Sequence, residues 1–485
     1  MRKSILMAAL LLGATPNLIS QTIQMELAAP QPFLQGTDTG DMEFADLDGD
    51  GDMDLIATGS GNMSDGSTHG ALTTLYFNDG AGNFTAVNDH GIENIRVSKI
   101  ALANIDTDED LDLLISGFTS GGFALTKLYT NDGSGNFTEV TGSPFESLEN
   151  GYFNFGDIDG DNDQDIVFSG GHSGIEDVVK YINDGNGNFS LDTTMGVTGI
   201  SGVLDLSDYD NDEDLDLIIC GQDSSGNIVT RLYNNDGNGD FTLFADAGLN
   251  GVEFGDIAAA DTDGDEDLDL VICGSSAAGD FVTEFYRNNG DSTFTQLTDV
   301  PFLGLGANGE TSFNDFDNDG DVDVFVIGSA NGGLPNIYSH IYENLGDNNF
   351  VLSDEFVGGY LSTHAVADVD GDSLLDVVIG GTTTGTPVRG SFLYKNVSAV
   401  LNTNETALNA SVSIYPNPSR GQFNVSLTAI PNAQLALYNI AGQLIFKKTL
   451  ILDTNKLDLN LSNGVYLVVI KNDNQQLTRK LVIRN

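Results

Sequence analysis

The chain has 485 residues, of which 40% are hydrophobic and 19% are charged, so it has the composition of a folded protein and room for two or three domains. It carries 72 acidic and 18 basic residues, a formal net charge of −54, which excludes nucleic acid and anionic membrane surfaces as expected partners. A chain with so much self-repulsion is stabilised by bound cations, so metal sites are the first functional expectation.

Residues 1–20 have the pattern of a secretory signal peptide. Arg2 and Lys3 precede an apolar run from Ile5 to Leu12, and a cleavage point is expected near Ser20. The rest of the chain has no apolar stretch of the length that a membrane span needs, so we expect an exported protein without such a span.

Two cysteines stand at matching places in the chain. Cys220 follows Ile-Ile and Cys273 follows Val-Ile, and each precedes a glycine. Two cysteines are too few for a disulfide framework, and we expect both to be small buried strand residues.

An acidic nonapeptide recurs seven times. It begins at Asp46, Asn104, Asp157, Asp208, Asp261, Asp315 and Asp368. The spacing stays between 51 and 58 residues, and a period near 50 indicates a propeller or an array of repeats.

Each repeat reads as four short strands. A strand precedes the acidic loop, and an apolar run such as Leu217 to Gly221 follows it. A recurring tyrosine marks the third strand, and an Asn-Asp-Gly turn leads to a phenylalanine that starts the fourth strand. The tyrosines, which we expect to pack in the core, are Tyr76, Tyr129, Tyr181, Tyr233, Tyr286, Tyr342 and Tyr394.

The seventh repeat ends after its third strand, at Asn396. By register, Ile23 to Leu27 supplies the missing fourth strand, which closes the ring and removes exposed sheet edges. The sequence therefore predicts an all-β protein with a seven-bladed β-propeller over residues 21–397. A linker is expected over 398–410, and alternating segments such as Phe423 to Leu427 predict a small C-terminal β-sandwich over 411–485.

The acidic loops are candidate cation sites, and they hold half of the Asp and Glu residues of the chain. Carboxylates at alternate positions of a curled loop point inward, where six to eight hard oxygens suit Ca²⁺ better than Mg²⁺. Positions one, three, five and nine are expected to give side-chain oxygens and position seven a backbone carbonyl, so we expect up to seven Ca²⁺ ions, one per blade.

The predicted metal ligands are the odd positions of the seven loops. In the first four blades they are Asp46, Asp48, Asp50, Asp52 and Asp54; Asn104, Asp106, Asp108, Asp110 and Asp112; Asp157, Asp159, Asp161, Asp163 and Asp165; Asp208, Asp210, Asp212, Asp214 and Asp216. In the last three blades they are Asp261, Asp263, Asp265, Asp267 and Asp269; Asp315, Asp317, Asp319, Asp321 and Asp323; Asp368, Asp370, Asp372, Leu374 and Asp376.

Two departures from the pattern predict unequal sites. Position one is Asn104 in blade 2, and position six is Glu109, Glu213 and Glu266 in blades 2, 4 and 5, where an EF-hand has glycine. In those blades weaker binding or a different turn is expected.

The repeat resembles the FG-GAP or VCBS repeat propellers related to the integrin α-subunit head. Asp48 to Asp54 and Asp317 to Asp323 match the Asp-x-Asp-x-Asp-Gly-x-x-Asp loop of that group well. The resemblance implies Ca²⁺ binding, a secreted or cell-surface location and a binding or adhesion role.

The tail resembles the C-terminal sorting domain of Bacteroidetes type IX secretion cargo. The matching segments are Tyr415 to Pro418, Gly421, Leu437 to Gln443, Gly464 to Leu467 and Lys480 to Ile483. This resemblance implies recognition by the type IX secretion machinery, export across the outer membrane, removal of the tail, and release or surface attachment.

We identify no catalytic constellation in the sequence. The five histidines fall at unrelated repeat positions, and no phosphate-binding motif is present. A binding module for a protein or surface is the leading hypothesis and an enzyme is not expected. A carbohydrate-binding protein, a polysaccharide-degrading enzyme such as a lyase, and a purely structural role stay open.

The ligand, whether protein or glycan, is expected on the face opposite the acidic loops. In a four-stranded antiparallel blade the acidic loop and the Asn-Asp-Gly turn emerge on one side. The other side carries the links that vary between blades, such as 59–73, 88–96, 304–311 and 328–337. The candidate residues there are His69, Arg96, Tyr338 and Tyr360.

Overall fold

A computed structural model describes most of the chain as two compact units, Met1–Ser398 and Ala399–Asn485. The described residues are 23–29, 31, 34–35, 37–62, 68–147, 149–172, 175–197, 199–383, 389–398, 412–415, 419–420, 422–427, 433–439, 444–450, 454–459, 461, 464–471 and 476–483. The predicted signal peptide and nearly all of the predicted linker lie outside them. Every regular element within these ranges is a strand. A helix of the length and hydrophobicity needed to span a membrane was not found among them.

The described part of the first unit contains seven antiparallel sheets, which we call blades 1 to 7 in the order of their acidic loops. Blade 1 contains β2 (Thr37–Asp38), β3 (Met42–Ala45), β4 (Asp54–Asn62), β5 (Thr68–Asn78) and β6 (Phe84–Val87). Blade 2 contains β7 (Arg96–Ala103), β8 (Asp112–Phe118), β9 (Ala124–Thr130) and β10 (Thr138–Glu139). Blade 3 contains β11 (Glu149–Gly156), β12 (Asp165–His172), β13 (Ile175–Ile182) and β14 (Ser190–Asp192). Blade 4 contains β15 (Ile200–Ser207), β16 (Asp216–Asp223), β17 (Ile228–Asn234) and β18 (Thr242–Phe244).

The remaining blades follow the same plan. Blade 5 contains β19 (Val252–Ala260), β20 (Asp269–Ser276), β21 (Phe281–Asn288) and β22 (Phe294–Leu297). Blade 6 contains β23 (Gly306–Asn314), β24 (Asp323–Ser329), β25 (Ile337–Asn344) and β26 (Phe350–Val357). Blade 7 contains β27 (Tyr360–Ala367), β28 (Asp376–Thr382) and β29 (Arg389–Asn396), and its fourth strand is β1 (Met25–Leu27).

The pairing of β1 with β29 confirms the predicted closure by the two ends of the propeller. Met25 lies opposite Asn396 and Leu27 opposite Tyr394. The strand begins at Met25, two residues later than predicted, and the amide of Ile23 binds the Ser353 hydroxyl at 3.1 Å.

The first strands of the blades contact one another in sequence, and β27 contacts β3. The second strands are almost fully buried, as in β8 and β24, because both of their faces pack on neighbouring blades. One such core joins Leu47 and Leu75 of blade 1 to Leu113 and Tyr129 of blade 2. The predicted all-β architecture of antiparallel blades is confirmed.

The repeated tyrosines are buried in these cores, as predicted, with exposures between 0% and 6%. Cys220 and Cys273 are buried and unbridged, also as predicted. Burial raises the pKa of the Cys220 thiol to about 12.

The predicted loop over 59–73 in blade 1 is wrong for most of its length. There β4 extends to Asn62 and β5 begins at Thr68, so the long insertion is mainly a longer hairpin. The segments 88–96 and 328–337 are connections for most of their length, as expected. The predicted link over 304–311 is wrong for most of its length, because β23 begins at Gly306.

The second unit has two sheets. The first contains β30 (Val412–Tyr415), β31 (Gln422–Leu427) and β34 (Thr454–Asp458). The second contains β32 (Ala433–Asn439), β33 (Leu444–Leu450), β35 (Gly464–Lys471) and β36 (Gln476–Ile483). Phe423 and Val425 of the first sheet share one core with Leu435 and Val468 of the second, as the predicted sandwich requires.

Candidate metal centres

The first residue of each acidic loop organises the loop backbone. The Asp46 carboxylate accepts hydrogen bonds from the amides of Gly49, Asp50 and Gly51, at 2.8, 3.1 and 3.0 Å. The bond from the position-six amide recurs in blades 3 to 7 at 2.8–3.1 Å. Position one therefore curls the loop around its own side chain.

Position six has positive φ in all seven loops. The angle is 95° at Gly51 and 98° at Gly320, and it is 73°, 75° and 73° at Glu109, Glu213 and Glu266. The three glutamate loops therefore keep the common turn, and the expected alternative of a different turn is wrong. In blades 4 and 5 the hydrogen bond from the position-six amide to position one holds the glutamate in the left-handed region, which costs a non-glycine residue about 1 kcal/mol.

Position nine fastens the loop to its blade. These aspartates are at most 1% exposed. In every blade one carboxylate oxygen accepts a hydrogen bond, at 2.8–2.9 Å, from the backbone amide of an asparagine at or directly after the end of the third strand. The other oxygen accepts a hydrogen bond from the position-two backbone amide in blades 1 to 4, 6 and 7, at 2.9–3.3 Å.

In five of the blades the position-three carboxylate has one buried oxygen without a hydrogen-bond donor in the part of the chain that the structure describes. Within the described residues, one oxygen of the position-three carboxylate is buried and accepts no hydrogen bond in blades 1, 3, 4, 5 and 7, namely at Asp48, Asp159, Asp210, Asp263 and Asp370. A buried carboxylate oxygen without a donor is costly unless a cation compensates it.

The predicted ligands converge in five of the loops. Oxygens of positions one, three and five lie within 4.8 Å of one another in blades 1 and 5, and those of positions one, three and nine do so in blades 3, 4 and 6. All of these donors are carboxylates, which fits a hard cation.

In blades 1 and 2 the position-seven side chain lies against the Asn-Asp-Gly turn of its own blade. A Cβ atom placed on Gly80 would lie 2.6 Å from both carboxylate oxygens of Asp52, and Gly133 has the same relation to Asp110 at 2.7 Å. These carboxylates thus lie against the turn of their own blade, where only glycine leaves room. The arrangement agrees with a backbone role for position seven and accommodates Leu374.

Charge and burial raise the proton affinity of the loops. Burial raises the pKa of Asp54 to about 6 and that of Asp323 to about 8. Burial first, and then the charge of Asp50, raises the pKa of Asp48. Each loop is therefore an arrangement of carboxylates that gains stability from a proton or a metal cation.

The sequence did not reveal that an asparagine joins each loop to the next blade. The side-chain amide of Asn131 in blade 2 donates to the Leu47 carbonyl of the blade 1 loop at 2.9 Å. The equivalent bond recurs at every blade junction at 2.8–3.1 Å, and Asn78 closes the ring onto Val369. Sequence analysis assigned these asparagines to the turns, and their seven-fold recurrence was the available signal.

The face opposite the acidic loops carries the predicted ligand residues and two exposed phenylalanines. Arg96, Tyr338 and Tyr360 are each partly buried at or near the start of a strand there, whereas the side chain of His69 lies outside the described part. Phe123 and Phe254, which sequence analysis did not single out, are 75% and 61% exposed. Phe254 has a φ of 55°, which is unusual for a bulky residue.

Two family profiles match the chain. FG-GAP-like repeats match residues 46–115, 208–272, 261–326 and 315–379. The secretion system C-terminal sorting domain matches residues 413–484. Among curated proteins none matches the chain.

Several solved structures are similar at low identity. PorZ, a surface component of the type IX secretion system of Porphyromonas gingivalis, is 12% identical with a TM-score of 0.43, and the match covers 94% of this chain and 60% of PorZ. A rhamnogalacturonan lyase of Bacillus licheniformis is 15% identical with a TM-score of 0.43, over 77% and 75% of the two chains. The Aleuria aurantia lectin is 12% identical with a TM-score of 0.35, over 66% and 97%.

The repeats and the blades together define a β-propeller protein built from FG-GAP-like repeats. Its C-terminal unit is a type IX secretion system sorting domain, which indicates a secreted protein.

Proposed function

We propose that the propeller binds Ca²⁺ in its acidic loops, up to one ion per blade, and that the exported protein is a binding or adhesion module at or beyond the cell surface. The observation that carries the metal assignment is the buried, donor-free oxygen of the position-three aspartates. A cation at that point would satisfy this oxygen together with those of positions one, five and nine.

Calcium suits these loops for chemical reasons. Ca²⁺ takes six to eight oxygens at about 2.3–2.6 Å in flexible geometry, whereas Mg²⁺ demands a near-ideal octahedron and keeps several waters. Carboxylates and a backbone carbonyl are oxygen donors of the required kind.

In this proposal the ions are structural. The position-two residue of each loop offers its carbonyl to the asparagine of the next blade, so a cation that orders the loop also orders the junction. With a Kd of about 0.1 mM, 1 mM Ca²⁺ stabilises the folded state by about 1.4 kcal/mol per site.

Thermal unfolding of the purified chain in 1 mM Ca²⁺ and in excess EGTA tests this role. Seven independent sites predict a loss of about 10 kcal/mol on chelation, and therefore a large fall in Tm. Equal Tm values in the two buffers would contradict it, and Mg²⁺ in place of Ca²⁺ serves as the control for ionic strength.

The ligand site in this proposal lies on the face opposite the acidic loops, and its role is binding rather than catalysis. The exposed rings of Phe123 and Phe254 on that face support a contact surface. Three described histidines have hydrogen-bond partners within the fold: His90 Nδ1 accepts from the Ile92 amide at 3.2 Å, His340 Nδ1 contacts the Tyr342 hydroxyl at 2.9 Å, and His364 Nδ1 contacts Glu310 at 3.0 Å.

Capture experiments with the propeller test the binding role. Variants Phe254→Ser and Phe123→Ser are expected to lose a captured protein or glycan and to keep the Ca²⁺-dependent Tm. Depolymerisation of a polysaccharide by the unmodified chain would instead favour an enzyme.

A further inference from the structure

In blades 4 and 7 the residue that follows the repeated tyrosine contacts the position-three carboxylate of its own blade. In blade 4 the Asn234 side-chain amide lies 2.6 Å from Asp210 Oδ2. In blade 7 the Lys395 ammonium lies 2.8 Å from Asp370 Oδ2. This strand position therefore borders the candidate metal site.

The side chain at this position differs in every blade. From blade 1 to blade 7 it is Phe77, Thr130, Ile182, Asn234, Arg287, Glu343 and Lys395. The acidic loops are nearly uniform in charge. The candidate metal sites therefore differ most in charge at the residue that follows the repeated tyrosine.

Blade 6 is the blade in which this neighbour adds a carboxylate. Glu343 is 2% exposed, and its Oε1 is buried and accepts no hydrogen bond from any described residue. Its Oε2 accepts the Ser353 hydroxyl at 3.1 Å. The side chain is therefore fixed by one oxygen while the other lacks a donor.

Several contacts place Glu343 beside the blade 6 loop. The next residue, Asn344, binds Asp323 Oδ1 through its amide at 2.9 Å and the Val322 carbonyl through its side chain at 3.3 Å. Burial raises the pKa of Asp317 to about 7, and the charges of Asp319 and Glu343 add to this rise.

We infer that Glu343 is an additional cation ligand in blade 6, and that the residue after each repeated tyrosine sets the affinity of its blade for Ca²⁺. This inference rests on the proposed Ca²⁺ binding. Blade 6 then holds the tightest site, because ligand charge raises the affinity of such loops. Blade 7 holds a weak site, because the Lys395 ammonium already neutralises the Asp370 carboxylate at 2.8 Å.

Competitive Ca²⁺ titration of the full chain against a fluorescent chelator tests the inference. Glu343→Gln is expected to weaken the tightest class of site by about tenfold or more. Glu355→Gln is the matched control, because Glu355 lies in the same blade, is 57% exposed and pairs with His340. It is expected to leave all affinities unchanged.

The reciprocal variant keeps the test independent of any folding defect in Glu343→Gln. Lys395→Met is expected to strengthen the weakest class of site, since it frees the Asp370 carboxylate. Ca²⁺ binding with unchanged affinities in both variants would overturn the inference and leave the proposed function standing. A chain that binds no Ca²⁺ would overturn both.

Discussion

The two faces of the propeller differ in how far their contacts recur from blade to blade. On the face of the acidic loops, positions one, six and nine make the same hydrogen bonds in nearly every blade, and an asparagine joins each loop to the next. On the opposite face the connections differ in length and in their exposed side chains, such as Phe123 and Phe254. The first face therefore holds the contacts between blades constant, and under the proposed function the second face specifies the ligand.

The largest single-site effect is expected at the blade junctions. Asn288 is 1% exposed, and its side chain donates to the Tyr209 carbonyl at 3.1 Å and to the Leu268 carbonyl at 3.2 Å. Asn288→Ala leaves buried carbonyls without a donor and is expected to lower the free energy of unfolding by about 2–3 kcal/mol. Chemical denaturation measures this loss. Phe123→Ser on the opposite face should change stability by less than about 0.5 kcal/mol, and an equal loss in both variants would remove the distinction between the faces.

Within one loop, substitutions at positions three and seven should differ in how much Ca²⁺-dependent stability they remove. Asp48→Asn is expected to remove most of the contribution of the blade 1 site, about 1.4 kcal/mol in 1 mM Ca²⁺. Asp52→Asn carries the same charge change but affects a side chain that lies against Gly80, so it should cost far less. Comparing the Ca²⁺-induced Tm shift of the two variants provides the check, and a larger effect at Asp52 would refute the assigned roles.

The stability of the propeller should depend on pH through Glu43 of β3. Burial, together with the charge of Asp41, raises the pKa of Glu43 from 4.5 to about 8. The folded state therefore holds a proton that the unfolded state releases, so stability falls as pH rises from about 4.5 to 8. Glu43→Gln should reduce this fall by at least about 1 kcal/mol, since each unit of pKa shift corresponds to about 1.4 kcal/mol. The measurement is made in excess Ca²⁺ so that the loop carboxylates stay bound to cation. A steeper fall of stability with pH in the variant would contradict the raised pKa of Glu43.

The smallest effect on stability is expected from the C-terminal unit. It has its own core and separates from the propeller as a compact unit. Deletion of 411–485 should leave the melting transition of the propeller nearly unchanged while the protein accumulates in the periplasm. Cell fractionation measures the second effect, and efficient export of the truncated chain would contradict the sorting role.

These contrasts also show how far the sequence could be interpreted. The seven acidic loops, the buried tyrosines and the closing strand before residue 28 were predictable, because each depends on a spacing or on a local pattern of polarity. The role of Asn131 was not, because periodicity shows that a residue recurs but not which neighbouring blade it contacts. The role of Glu343 was not predictable either. The residue after the repeated tyrosine differs in every blade, and the importance of Glu343 depends on its burial, which the sequence does not show.

The central claim is that the acidic loops bind calcium, and equilibrium dialysis of the purified chain followed by elemental analysis tests it most directly. At 1 mM free Ca²⁺ we expect several bound ions per chain, approaching seven, and fewer in a variant that carries Asp48→Asn and Asp317→Asn. No bound calcium at this concentration, with the protein fully folded, would contradict the claim.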